Sequence, residues 1–455
     1  MSDLLENTSG DSPELKRTLG PVMLWGLGVG YVIAGEYFGW NLGLPVGGTL
    51  GMAVATIFVI IMYVTFVFSY TEMACAIPKA GGAFDYADRG LGRNLGFLAG
   101  MCQNIEFVFA PPAVASAIGA SVSMLYPWLE TDYGITTMMI AVASFVVFTA
   151  INISGVQAAA SVEFVVTLIA ISVLLVFAGY TLPEFKIENF TNNMLPNGWA
   201  GAFACLPFAI WFFLAIEGVA NVAEETIDPG KNILKGFGWA IFTLVALCIL
   251  TFFASVGVSG WEGAVYEPGT TTESDAPIPL VLRQVLDPSS LMFKAIVGLS
   301  MFGLIASFNG IILAAGRSVF EFGRVGNIPK WFGVVNRRFR TPANALIVNM
   351  FIGLAALAIG RTGEILTISC FGALGLYIIS MFSFFALRKN EPDLERPFKV
   401  PMYPIFPAVA LVISSICMVA LIVYYLSLFF VFLGVLAIAF IPFLLIKKRD
   451  KEETA

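Results

Sequence analysis

The chain has 455 residues, of which 58% are hydrophobic and only 12% charged, with a net charge of −6 and no histidine. Soluble domains average about 25% charged residues, and many apolar runs here reach the roughly 20 residues that cross ~30 Å of hydrocarbon, so a soluble globular protein is excluded. The missing histidine excludes histidine metal sites, histidine proton relays and Ser-His catalysis, and leaves proton chemistry near neutral pH to carboxylates.

Taken in order, the chain opens with a polar stretch, Met1 to Arg17, without an apolar h-region or a small-residue cleavage site. It is expected to be a cytoplasmic tail, residues 1–19, rather than a signal peptide. Apolar periodicity then predicts twelve spans, near 20–47, 50–77, 95–124, 135–154, 161–181, 201–225, 236–258, 291–318, 343–360, 364–387, 407–426 and 428–446. The fold class is an all-α polytopic membrane protein. Lys and Arg sort to one side of these spans: Lys79, Arg89, Arg93, Lys231, Lys235, Arg317, the cluster Arg324 to Arg340, and Arg388 to Lys399 share a side with both termini. Only Lys186, Arg283, Lys294 and Arg361 fall opposite, which predicts cytoplasmic N- and C-termini, the latter as a tail over 447–455. The acidic, proline-containing loop Ser259 to Ser290 then lies outside, as a partly ordered cap.

The first span is unusual. Gly20, Gly26, Gly28, Gly30, Gly35, Gly39 and Gly43 lie within it, and Glu36 is its one charge between Leu19 and Val46. Glycine costs about 1 kcal/mol in a helix interior. The spacing of Gly26 and Gly30 fits a close-packing face, but packing does not account for a carboxylate beside Gly35 in the string Ala34-Gly35-Glu36. An intramembrane carboxylate marks a substrate or ion path, or pairs with a buried base. The first six spans offer no lysine or arginine at mid-depth, and Arg317 is expected near the cytoplasmic end of the eighth.

The third span carries Gln103, Asn104 and Glu106, the last either a second coupling carboxylate or a polar tie between helices. Glu163 in the fifth is expected to be structural and near the cytoplasmic end. The sixth repeats the pattern of the first, with Glu217 the one charge from Gly201 to Ala223, just after Trp211, Phe213 and Ala215. Broken helices at matching places in two halves point to a transporter binding site. The six cysteines are scattered singly in or beside apolar segments and read as small buried hydrophobes. No metal or cofactor site and no nucleic-acid surface is expected, and no GxxxxGK[ST] motif for an ATP-driven pump occurs.

Three stretches carry a family resemblance. Pro78-Lys79-Ala80-Gly81-Gly82-Ala83-Phe84-Asp85-Tyr86 follows the second span; Glu217, Ala223-Glu224-Glu225 and Asp228-Pro229-Gly230-Lys231-Asn232-Ile233 close the sixth; Arg317, Gly326-Asn327-Ile328-Pro329 and Thr341-Pro342-Ala343 follow the eighth. Together they resemble the amino acid–polyamine–organocation transporters. The resemblance implies a LeuT-type five-plus-five inverted repeat, about 20–181 and 201–387, within a transport core of 20–387, and two further helices over 407–446. It also implies a secondary carrier working by alternating access.

Within that family, Gly30 to Asn41 looks like the first span of bacterial ethanolamine permeases. Amino-acid carriers usually place bare Gly-Ser-Gly backbone here to receive the substrate carboxylate. Glu36 puts a carboxylate there instead, which suits a substrate that is only a cation. The expectation is import of ethanolamine or a similar small amine across the bacterial inner membrane, with protons as a possible coupling ion; an amino-acid or polyamine carrier is the alternative. The resemblance implies a substrate site of Ala34, Gly35, Glu36, Asn104, Trp211, Phe213 and Ala215. Trp211 would be a gate and Glu217 a proton-coupling group; Glu106, which has no counterpart in the family, is the second candidate for proton coupling. Where cationic members carry a lysine in the fifth span, counting from Gly155 gives Ala170.

Overall fold

The computed structural model describes residues 17–79, 81–154, 160–336, 338–339 and 341–454. The tail up to Lys16, Ala80, Gly155, Arg337 and Arg340, and the side chains from Ile446 onward, lie outside the described residues. In chain order the helices are α1 (Pro21–Val32), α2 (Ala34–Tyr37), α3 (Leu44–Ala76), α4 (Ala83–Leu91), α5 (Arg93–Leu125), α6 (Trp128–Tyr133), α7 (Thr137–Ile153), α8 (Ala160–Thr181) and α9 (Ile187–Thr191). They continue as α10 (Gly198–Ala204), α11 (Leu206–Trp211), α12 (Pro229–Ser259), α13 (Pro277–Leu282), α14 (Leu291–Arg324), α15 (Ala343–Ile359), α16 (Thr362–Asn390), α17 (Ile405–Tyr424) and α18 (Leu426–Thr454).

Among the described residues there is no strand, and nine helical segments are long and apolar enough to cross a membrane, one of them, Leu206–Glu225, made of α11, a turn and a 3-10 helix. Three shorter apolar helices, α1, α7 and α15, pack among them. Ile57, Phe242, Phe351, Val423 and Ile438 point outward and exposed. An apolar exterior of this extent suits lipid rather than water. The interior holds aromatic side chains, with Trp40, Tyr63, Phe212, Phe213 and Tyr377 fully buried. This is a multi-pass membrane protein.

Most helix ends fall within a few residues of the expected ones, but α12 begins about seven residues earlier, at Pro229, and α14 runs about six residues further, to Arg324; two more corrections concern α3 and α18. The gap expected after residue 47 is a kink inside α3, where Gly48 turns at φ 64°. The C-terminal tail expected over 447–455 continues α18 to Thr454, because no glycine or proline follows Pro442 to stop it and Lys, Arg and Glu are good helix formers.

Glycine spacing positions α1. An added Cβ at Gly26 would press on Phe164, and one at Gly30 would lie 2.5 Å from the Glu163 Oε1 atom, so both glycines let α8 approach closely. At the end of the bundle holding Leu19, the chain seals itself by main-chain bonds. The Thr18 and Leu19 amides donate to the Glu225 carbonyl, the Ile227 amide donates to the Leu19 carbonyl, and Arg317 pairs with the Glu225 carboxylate at 3.5 Å. Glu72 anchors the same end. Its Oε2 accepts from Arg388 and from the Val400 amide at 2.7 Å each, and its Oε1 meets Arg396 at 3.2 Å.

At the opposite end the 259–290 loop is a folded cap of short turns and α13. Asn41 donates to the Ser274 carbonyl, Thr362 donates to Asp275, and Trp261 donates to the Asn193 carbonyl. Beneath this cap opens a cavity of about 590 Å³, lined in part by Glu267, Glu273, Asp275 and Arg283.

Candidate substrate and coupling site

Both expected breaks are present. α1 ends at Val32, Ile33 makes a single turn, and α2 lasts four residues before Phe38 extends and Gly39 turns at φ 89°. A break inside a bundle leaves main-chain groups without helical partners, and these must be paired. One hydroxyl of α14 does so here. Ser307 Oγ donates to the Gly30 carbonyl at 2.7 Å and accepts from the Ala34 amide at 2.9 Å. Tyr37 donates to the Ala170 carbonyl at 2.6 Å, so a tyrosine hydroxyl of the break reaches the position where the resemblance looked for a lysine.

The second break is longer. α11 stops at Trp211, Phe212 to Ala215 form a turn, and a 3-10 helix runs from Ile216 to Glu225. Ala215 sits in the left-handed region at φ 74°, which costs a non-glycine residue about 1 kcal/mol or more.

The two breaks meet at Trp211. An added Cβ on Gly35 would collide with the Trp211 carbonyl oxygen, and one on Gly39 would lie 2.5 Å from its indole. Phe38 packs edge-on to the same ring at 5.5 Å. The indole Nε1 is buried and has no acceptor among the described residues. Ala34, Gly35 and Trp211 thus form one seam.

Glu36 is fully buried on α2, and neither of its carboxylate oxygens has a hydrogen-bond donor among the described residues. Among the described residues no lysine or arginine pairs with it; Arg317 is engaged with Glu225 instead. Tyr37 and the Cys248 thiol of α12 lie within its electrostatic reach.

A second cluster joins Glu106, Ala215 and Glu217. The Ala215 amide donates to Glu106 Oε1 at 3.0 Å, and Tyr377 donates to Glu217 Oε2 at 3.1 Å. Tyr63 links to the cluster through a 3.1 Å contact with the Tyr377 hydroxyl, and Phe213 packs on the Tyr63 ring at 5.2 Å. No described contact joins Glu36 to this cluster. Asn104 is buried, and among the described residues its side chain hydrogen-bonds only Met101 Sδ, at 3.8 Å.

Sequence reasoning missed Ser307, Tyr63 and Tyr377. Each is an ordinary polar residue in an apolar helix, and nothing local distinguishes them. Glu163 lies in the first turn of α8, near the helix end as expected. This side chain is buried against Gly30 beside the first break, with Oε1 lacking a donor among the described residues.

Two interrupted helices meeting at a buried, partly unpaired polar site inside a lipid-facing bundle are the arrangement of a membrane transporter. Comparison places it further. The family model described as amino acid permease matches residues 19–446, and the chain belongs to that family, within the amino acid–polyamine–organocation superfamily. Its relatives include an uncharacterized transporter of Rhizobium meliloti, 27% identical over 90% of this chain and 89% of the relative. The branched-chain amino acid permease BcaP of Bacillus subtilis is 24% identical, again over 90% and 89%. The methylthioribose transporter of Bacillus subtilis is 25% identical over 90% and 88%.

Proposed function

We propose that this protein is a secondary carrier that imports ethanolamine, or a similarly small amine without a carboxylate, by proton-coupled alternating access across a bacterial inner membrane. The observation that carries the reading is the unpaired Glu36 carboxylate, buried in the first break. A buried carboxylate without a counter-ion is costly, and a substrate ammonium supplies the missing charge. An amino acid would bring its own carboxylate to the same place and be repelled. The relatives' names cover both amino acids and methylthioribose, so membership of the family does not by itself select an amino acid.

In this reading Trp211 is the gate and offers its ring face to the ammonium. Asn104, whose Oδ1 lacks a donor among the described residues, takes the substrate hydroxyl. Phe213, Ala34, Gly35 and Ala215 wall the chamber, and Glu217 with Glu106 carries the proton. In this reading the nine long apolar segments and the three short apolar helices among the described residues serve as twelve crossings. They are arranged as the two inverted repeats and two extra helices described above, with cytoplasmic termini.

The second reading, an amino-acid carrier, draws on the amino-acid permeases among the relatives. One experiment separates the two: uptake into proteoliposomes of ethanolamine, choline, serine, alanine and putrescine, each with and without a pH gradient. The proposal expects saturable ethanolamine uptake in the wild type. In Glu36→Gln that uptake should fall by roughly 100-fold or more, the equivalent of ~3 kcal/mol for a broken buried ion pair, while the variant still inserts. Transport of serine or alanine in place of ethanolamine, or full ethanolamine uptake by Glu36→Gln, would overturn it.

A further inference from the structure

Glu106 meets the main chain two residues before Glu217, through the Ala215 amide at 3.0 Å, so the two buried carboxyls are neighbours. One oxygen of each, Glu106 Oε2 and Glu217 Oε1, has no N–H or O–H donor among the described residues, although both side chains are fully buried. The other two oxygens are occupied, by the Ala215 amide and the Tyr377 hydroxyl. No lysine or arginine forms an ion pair with either carboxylate among the described residues. The titratable groups around the pair are Tyr63 and Tyr70 of α3, Cys102 of α5, and Cys370 and Tyr377 of α16. Two buried carboxylates in this arrangement repel each other, and a single proton turns the repulsion into a hydrogen bond.

The two partners differ in mechanical setting. Ser369 of α16 donates to the Glu106 carbonyl at 2.8 Å, and an added Cβ on Gly372 would lie 2.7 Å from the Glu106 amide. Backbone packs on backbone there, so α5 and α16 form one stiff wall around Glu106. Ala215 and Glu217 belong to the second break, where the main chain leaves the α-helix and Ala215 is strained.

We propose that Glu106 and Glu217 form one proton site, and that its single proton latches the broken segment 212–217 to the α5–α16 wall. The proposal rests on the proton-coupled reading above and deepens it by giving the proton a place and a count. With the proton bound, Glu106 holds the segment twice, through the Ala215 amide and through Glu217. When the proton leaves, two buried anions face each other and the segment carrying Glu217 parts from the wall. One proton crosses per cycle through this site.

The test uses whichever compound of the uptake panel the full-length wild type carries. Its uptake is measured with and without an inward proton gradient in the wild type, Glu106→Gln, Glu217→Gln and the double variant. Stimulation by the gradient should disappear in each single variant, and the double variant should show no further change in coupling. Stimulation that survives in either single variant would overturn the shared site. If either glutamine variant fails to insert, Tyr377→Phe carries the test. It removes the hydroxyl that donates to Glu217 Oε2, so the pH profile of stimulated uptake should shift from that of the wild type. An unmoved profile would overturn the proposal. The two readings fail separately: a wild type without any gradient stimulation sinks proton coupling and the latch together, whereas gradient-stimulated uptake of an amino acid sinks only the amine substrate.

Discussion

Glu36 and Gly35 are neighbours with opposite demands. Gly35 exists to have no side chain, since any Cβ would strike the Trp211 carbonyl, while Glu36 brings a charge into a fully buried position. Gly35→Ala should therefore cost about 1–3 kcal/mol from overpacking, seen as a lower melting temperature in detergent, and should depress uptake because the seam with Trp211 is pushed apart. Glu36 was legible in the sequence as one charge in a long apolar run, and its lack of a basic partner agrees with the absence of mid-depth Lys and Arg. That Glu106 and Glu217 are neighbours was not legible. The two residues are 111 positions apart, and both are glutamates in apolar helices, a pattern that fits a helix tie as well as a shared proton. Ala215 gave no warning either, because alanine is the best helix former and carries no sign of a left-handed turn.

Whole helices were read more easily than their interruptions. Runs of apolar residues located both ends of α5 and α16 within a few positions, as they did the C-terminal end of α12 and the start of α14, and the GxxxG spacing marked the face of α1 that meets α8. The sixth expected span appears as three pieces, because the pairing that sustains its break comes from α5 and α16, far off in sequence. Two ion-pair sites at the Leu19 end make contrasting predictions. Glu225→Gln loses only a half-exposed bridge to Arg317 and should cost under about 1 kcal/mol. Glu72→Gln leaves Arg388 and the buried Arg396 without their carboxylate and should cost about 3–5 kcal/mol. Thermal unfolding of the two variants side by side would reverse this view if Glu225→Gln proved the more damaging.

At the scale of the whole molecule, the cap responds to pH through Asp275. Burial pushes its carboxyl up to about 6, while the Thr362 hydroxyl favours the anion. The folded value lies above the ordinary one near 3.8, so this contribution to stability is full below about pH 4 and is lost as pH rises through about 6. Asp275→Asn keeps an acceptor for Thr362 and removes the titration. The variant should match the wild type near pH 4 and exceed it at pH 7 by on the order of 1 kcal/mol, after screening of a half-buried group. Equal pH profiles of thermal unfolding for the two proteins would refute this. The close approach at Gly372 has a separate consequence for anyone who sets out to watch the protein move. Helices locked together at their main chains keep a constant spacing, so spin labels at the outer ends of α5 and α16 would hold one distance through the whole cycle. That pair is the molecule's internal ruler, against which every other displacement can be measured.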